Sequence, residues 1–338
     1  MKKLMLLVVV IAMIATGCSS GEQTESVSAP TLTPEPETVS EKASKEYEIS
    51  FISCMSSNPF FLTINAGAQD EAARLGVKVN YLEPATNDMQ GQTTVIQAVL
   101  VTKPDFVIIA PVDSTSMIAP MKEMQDEGIP MITVDRDIND PSLRIATISS
   151  DNASAGYLAA EYLNEKLGGS GNVAYLGFIP GVSSVDERYA GWNAALSDVF
   201  TGLTLTGEAF EKSDLQALTA KANALIAKDP DLKGIFAGYT NATLGVATAL
   251  KGADLVDDII LIGQDASPDE VQGLREGSID ALIAQKAYEF GVLAVRYAVD
   301  YLDNGTMPPD TTRMDHIVIT VENMDDPEVM QYTYRAAD

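Results

Sequence analysis

Residues 106–136 read FVIIAPVDSTSMIAPMKEMQDEGIPMITVDR, and this stretch decides the fold. Phe106-Val107-Ile108-Ile109 is a short, unbroken apolar run rich in β-branched residues, which reads as a strand. Thr115 to Glu127 has helical spacing and stops at Gly128. Pro130-Met131-Ile132-Thr133-Val134 is the next strand. Strands without a polar face are buried on both sides, as in a parallel sheet covered by helices. The stretch is therefore a β-α-β unit that ends on a charged pair, Asp135-Arg136.

The rhythm extends both ways. Upstream, Ile49 to Ile52 and Val77 to Leu82 read as strands, and Phe61 to Leu75 and Gln90 to Val101 read as helices. Downstream, the strands are Val173 to Leu176, Gly234 to Ala237, Ile259 to Ile262, Ala281 to Ala284 and Ile317 to Ile319. Helical spacing covers Ser154 to Leu167, Asp186 to Phe200, Leu215 to Ala227, Thr243 to Leu250, Pro268 to Arg275 and Tyr288 to Leu302. Repeated β-α-β units build doubly wound sheets. Two similar α/β halves meet near Ser149-Ser150-Asp151.

Composition removes several function classes. Hydrophobic residues are 46% and charged residues 21%, the balance of a globular chain. The net charge of −26 argues against nucleic acid, whose phosphates need a basic surface. One His and two Cys leave little for a zinc site, a disulfide framework or a His-based triad. Gly169-Ser170-Gly171 precedes a strand, whereas a dinucleotide loop follows one, and no nucleophile elbow is present. His316 reads as structural, and Cys54 as a small buried hydrophobe. Asp135-Arg136-Asp137-Ile138-Asn139 has calcium-loop spacing, but Asp140 and Ala146 stand where Gly and Glu are needed. No enzyme activity, cofactor or metal is expected.

The beginning of the chain carries an address. Met1-Lys2-Lys3 is basic, Leu4 to Ile14 is apolar but too short to span a bilayer, and Ala15-Thr16-Gly17 is followed by Cys18. Residues 1–17 thus read as an export signal. Ser19 to Glu46 is rich in Ser, Thr, Glu and Pro, so residues 18–46 are expected to be a disordered tether.

In open α/β sheets ligands bind beyond the carboxyl ends of strands. The polar residues there are Ser56-Ser57-Asn58, Asp113-Ser114, Asp135-Arg136, Tyr239-Thr240-Asn241, Gln264-Asp265 and Gln285.

Residues 47 to about 321 resemble the ribose/galactose-type periplasmic sugar-binding proteins, whose type I fold is related to the ligand domain of lactose-repressor-type regulators. The resemblance lies in Asn58-Pro59-Phe60-Phe61, Gly67-Ala68-Gln69, Ile132-Thr133-Val134-Asp135-Arg136, Ser150-Asp151-Asn152, Glu187-Arg188, Gly263 to Pro268 and Gly277 to Gln285. Ala-Thr-Gly-Cys18 resembles a lipobox, which implies a lipidated Cys18 and a membrane-anchored, exported protein.

The resemblance implies two Rossmann-like lobes joined by a three-strand hinge. Residues 47–149 plus 286–315 would form the N-terminal lobe, and 150–285 plus 316–338 the C-terminal lobe. The lobes would close over a monosaccharide or polyol and deliver it to an ABC permease, the protein acting as a monomer. The alternative output is a chemoreceptor or sensor kinase. By resemblance Asn58, Asp135, Arg136, Arg188, Asp265 and Gln285 would bond hydroxyls, and Phe60 and Phe61 would stack on the ring. Tyr239 stands where ribose-type members carry Asn, and Gln264 where relatives carry Phe. Both departures imply a larger, more polar pocket, suited to a hexose, a furanose sugar or a polyol. The second stacking aromatic would lie near Phe210 and Ser213. A transcription regulator is disfavoured by the export signal and by the lack of a basic helix-turn-helix before Tyr47.

Overall fold

The computed structural model describes residues 42–212 and 214–335. The export signal, Cys18, most of the expected tether and Ser213 lie outside them. In the first half the order is β1 (Glu48–Ile52), α1 (Pro59–Leu75), β2 (Lys78–Leu82), α2 (Met89–Thr102), β3 (Phe106–Ile109), α3 (Ile118–Asp126), β4 (Met131–Val134) and β5 (Thr147–Ser150). The second half begins with α4 (Asn152–Lys166), β6 (Gly171–Gly177), α5 (Ser183–Ala194), β7 (Leu203–Phe210) and α6 (Leu215–Lys228). It continues with β8 (Leu232–Ala237), α7 (Thr240–Ala253), β9 (Ile260–Gln264), α8 (Pro268–Arg275) and β10 (Ala281–Gln285). The chain ends with α9 (Ala287–Asn304), β11 (Thr311–Met314), β12 (His316–Thr320) and α10 (Pro327–Met330).

These form two six-stranded sheets, ordered β11-β5-β4-β3-β1-β2 and β12-β10-β9-β8-β6-β7. All pairings are parallel except β10 with β12. Each sheet is covered on both faces by an apolar cluster, so every central strand is buried twice. The fold is the two-lobed α/β architecture expected above.

Three strands escape the apolar pattern. β5 (TISS), β7 (LTLTGEAF) and β11 (TTRM) are rich in hydroxyl and charged residues. Two of them, β7 and β11, are edge strands, where one side needs no apolar partner.

Local chemistry sets the helix ends. Asn58 caps α1 by accepting from the Phe60 and Phe61 amides, and Pro59 suits the first turn. Gly76 ends α1 in the left-handed conformation. At α8, Ser267 and Glu270 form a reciprocal capping box.

The chain passes between the sheets at three points: Asp151 between β5 and α4, Lys286 between β10 and α9, and Asp315 between β11 and β12. Ser150 Oγ donates to Gln285 Oε1 at 2.8 Å, which ties the first crossing to the second. A Lys286–Asp315 ion pair of 2.6 Å ties the second to the third. Ordered contacts begin before Tyr47: the Ala43 amide donates to Leu75 O, Ser44 bonds Asp303, and Glu46 pairs with Lys78.

Each lobe contains one helix pair packed backbone to backbone. A Cβ on Gly67 would lie 2.0 Å from Tyr288 O, and one on Gly291 would lie 1.9 Å from Ile64 O. The pair α1/α9 therefore touches through reciprocal glycines. In the second lobe, α4/α5 does the same through Gly156 and Gly191, with 2.3 Å to Arg188 O and 2.1 Å to Ala153 O. Gly291→Ala should destabilise by about 1–3 kcal/mol through overpacking. Gly252→Ala in α7, where nothing lies within 4 Å, should be neutral or stabilising. Thermal melts of the two variants check this, and equal melting temperatures would refute the close-packing argument.

Candidate functional site

The carboxyl ends of the two parallel sheets face one another across a cleft. β4 runs into Asp135 and β9 into Asp265, and both residues adopt left-handed backbone, with φ of 65° and 89°. Non-glycine residues hold such angles only where surrounding bonds over-determine them. Here the Asp135 amide donates to Ile148 O at 2.8 Å, and the Asp265 amide donates to Ile283 O at 2.9 Å. The turn redirects each carboxylate out of its strand toward the cleft, which both residues line.

The cleft brings together Asn58, Phe60, Phe61, Asp135, Arg136, Arg188, Tyr239, Asp265 and Gln285. Between them lies a cavity of about 70 Å³, space for one small polar guest.

The first lobe supplies an acid–base pair. Arg136 Nε donates to Asp135 Oδ2 at 3.2 Å, and both side chains are largely buried. Burial pushes the Asp135 carboxyl up to about 6, with Arg136 and Arg188 opposing and Asp265 adding to the push. Asn58 spends its carbonyl on the α1 cap, while its amide nitrogen lies 3.9 Å from Met55 Sδ. Phe60 and Phe61 meet edge to face at 5.2 Å and are shared between the cleft and the first core.

The second lobe answers with Arg188 and Asp265. Arg188 Nη1 donates to Gly238 O and Nη2 to Asn152 Oδ1, each at 2.7 Å. Its Nε–H has no partner among the described residues. Asp265 Oδ1 accepts from Gln285 Nε2 at 2.7 Å and from Tyr334 at 3.0 Å, and Oδ2 accepts from Thr240 at 3.0 Å. Gln285 is thereby a clamp at the crossing, bonded to both lobes. The Tyr239 hydroxyl donates to Glu211 O and Lys212 O, and its ring meets Phe178 edge to face at 5.4 Å.

The rim is also joined. The Asp137 amide donates to Ser183 Oγ at 2.8 Å, and Arg313 on β11 pairs with Glu187 on α5 at 2.7 Å.

Gln264 does not reach the cleft. It is fully buried on the strand face of Ile262, toward the core behind the sheet, and its amide has no partner among the described residues. Phe210 is also elsewhere, packed against Tyr175 and Tyr189. The strand-end rule had already pointed to Thr240 and Asn241, which line the cleft, whereas sequence reasoning missed Met55, Phe178, Ser184 and Val185. Phe178 directly follows β6, so the strand-end rule reaches it once aromatic as well as polar residues are inspected.

Other candidates resolve plainly. Asp137 of the calcium-like run pairs with Arg144 at 2.7 Å. Cys54 lies in the first core, where burial pushes its thiol up to about 11. His316 begins β12, and burial, with the nearby Arg188 and Lys286 charges, holds its imidazole down at about 3.

Two lobes that present buried charges and aromatics to a shared cleft are the architecture of a solute-binding protein. The model of the periplasmic binding protein domain matches residues 49–306, and the chain belongs to that family. It is 30% identical over 262 residues to the ribose import binding protein of Escherichia coli (strain K12), covering 77% of this chain and 86% of the relative. The corresponding protein of Bacillus subtilis (strain 168) is 29% identical over 258 residues, 76% of this chain and 82% of the relative. An ABC transporter solute-binding protein from Agrobacterium vitis, bound with α-D-tagatopyranose, superposes with a TM-score of 0.82 at 31% identity. That match covers 86% of this chain and 100% of the other.

The raised Asp135 carboxyl makes a stability prediction. Its pKa of about 6 in the fold exceeds the ordinary aspartate value of 3.8. Between those values the fold retains a proton that the unfolded chain has released. The stabilising contribution is therefore complete below the lower value and is lost as pH rises through the higher one. Asp135→Asn removes this dependence, so it should gain stability relative to wild type from pH 4 to pH 7, by up to about 3 kcal/mol. Denaturant melts at several pH values measure it, and a constant difference would contradict the buried carboxyl.

Proposed function

We propose that this chain is the extracytoplasmic binding component of an ABC importer and carries a neutral monosaccharide in its cleft. The observation that supports it most is the meeting of Asp135-Arg136 from one lobe with Arg188 and Asp265 from the other. A sugar carries adjacent hydroxyls that donate and accept at once, and carboxylate–guanidinium sets match that pattern. Its C–H faces suit the faces of aromatic rings. Phe60 and Phe61 offer such rings from the first lobe, and Phe178 and Tyr239 from the second. Phe178 is the aromatic that replaces the one expected near Phe210.

The guest is a single pyranose or furanose ring. The relatives named for ribose and the neighbour holding tagatopyranose favour a pentose or a ketohexose. Because Gln264 is buried away from the cleft, its polarity does not enlarge the site. Binding proceeds by rotation of the lobes about the three crossings, and the rim bonds Asp137–Ser183 and Arg313–Glu187 hold the closed form. A lipid on Cys18 keeps the protein at the membrane, where a permease takes the sugar.

Calorimetric titration with pentoses, hexoses, ketoses and polyols tests the reading. Micromolar or tighter binding of at least one sugar is expected, and none from any of them would overturn it. Asp265→Asn should weaken binding by about 2–3 kcal/mol, since it removes a charge-assisted acceptor and keeps the side chain's size. Separately, Cys18→Ala should move the protein from the membrane fraction to the soluble fraction, and an unchanged distribution would remove the anchor.

A further inference from the structure

The chain beyond β12 does not stay with one lobe. After α10 it runs to Tyr334, a buried residue at 5% exposure that does not line the cleft. Its amide donates to Ala266 O at 2.9 Å. Its hydroxyl donates to Asp265 Oδ1 at 3.0 Å and accepts from the Gln285 amide at 3.2 Å. These three bonds attach it to the second lobe and the second crossing. Its ring, however, belongs to the core of the first lobe and lies 5.4 Å from Phe60. The next residue completes the bridge: the Arg335 amide donates to Thr63 Oγ1 on α1 at 2.8 Å. The tail lies beyond residues 49–306, which match the family model.

The geometry points to Tyr334 as a positioning residue for the ligand site, and to the C-terminal tail as a strap that joins the lobes apart from the three crossings. This rests on the reading of the cleft as a sugar site. Asp265 leaves its strand through a left-handed turn, and three donors fix the carboxylate in one orientation. Tyr334 and Gln285 share Oδ1, and Thr240 holds Oδ2. Without the phenol, Oδ1 keeps one donor, and the buried backbone amide of Gln285 loses this acceptor. Phe60 is tied to the same side chain through ring packing. One residue thus sets the acceptor on one wall of the cleft and an aromatic on the other.

The test is Tyr334→Phe, which keeps the ring and removes the hydroxyl, with D-ribose and D-tagatose as probes beside the wider panel. For whichever sugar the wild type binds, affinity should fall about tenfold. In an Asp265→Ala background the same change should alter affinity by less than twofold, because no side-chain acceptor for the phenol remains there. A residue that only stabilises the fold would give the same loss in both backgrounds, and that result overturns the inference. Wild-type affinity in Tyr334→Phe overturns it too. If the variant does not fold, hydrogen exchange on the wild type decides: saturating sugar should slow exchange of the Tyr334 and Arg335 amides, and unchanged exchange there refutes the strap. A wild type that binds no sugar defeats the functional reading first, and the strap falls with it.

Discussion

Three passages of the chain between two parallel sheets are the constraint on which everything else depends. Because the chain crosses at Asp151, Lys286 and Asp315, both sheets turn their strand carboxyl ends toward one seam. Residues that follow β4, β6, β8 and β9 then arrive at the same place. The crossings are tied to one another by Ser150–Gln285 and Lys286–Asp315, so they behave as one joint. Neither lobe could form this cleft alone, since each supplies only one wall.

The seam concentrates charge where water is scarce. Asp135, Arg136, Arg188 and Asp265 are all largely buried. A buried charge is costly unless it is paired and hydrogen-bonded. The molecule meets that cost with hydrogen bonds: Arg136 to Asp135, Arg188 to two carbonyl-type oxygens, and three donors to Asp265. Left-handed backbone at both aspartates adds local strain that these bonds hold in place. A rigid, pre-oriented polar wall is what a binding site needs, because less ordering remains to be done when a guest arrives.

The two lobes solve their packing in the same way. Each has one helix pair that approaches through reciprocal glycines, Gly67 with Gly291 and Gly156 with Gly191. In the first lobe, that contact joins a helix from the start of the chain to one near its end. It therefore anchors α9 after the second crossing and holds the site-bearing start of α1, where Asn58, Phe60 and Phe61 lie, against it.

By itself the sequence determined the sheet-and-helix rhythm, because period and apolar runs are local properties, and it placed Asp135, Arg136, Asp265 and Gln285 at strand ends. β5, β7 and β11 were not legible, since their hydroxyl-rich residues are tolerated only beside the right neighbour. Tertiary structure alone decided three matters. It turned Gln264 into the core while Asp265, one residue on, faces the cleft, because the left-handed turn at Asp265, held by the bond from its amide to Ile283 O, redirects the chain as it leaves β9. It chose Phe178 over Phe210 as a lining aromatic. It also brought Tyr334 across from the far end of the chain. A strand-end pattern can nominate a residue such as Phe178, but which nominee reaches the cleft depends on contacts between residues distant in sequence.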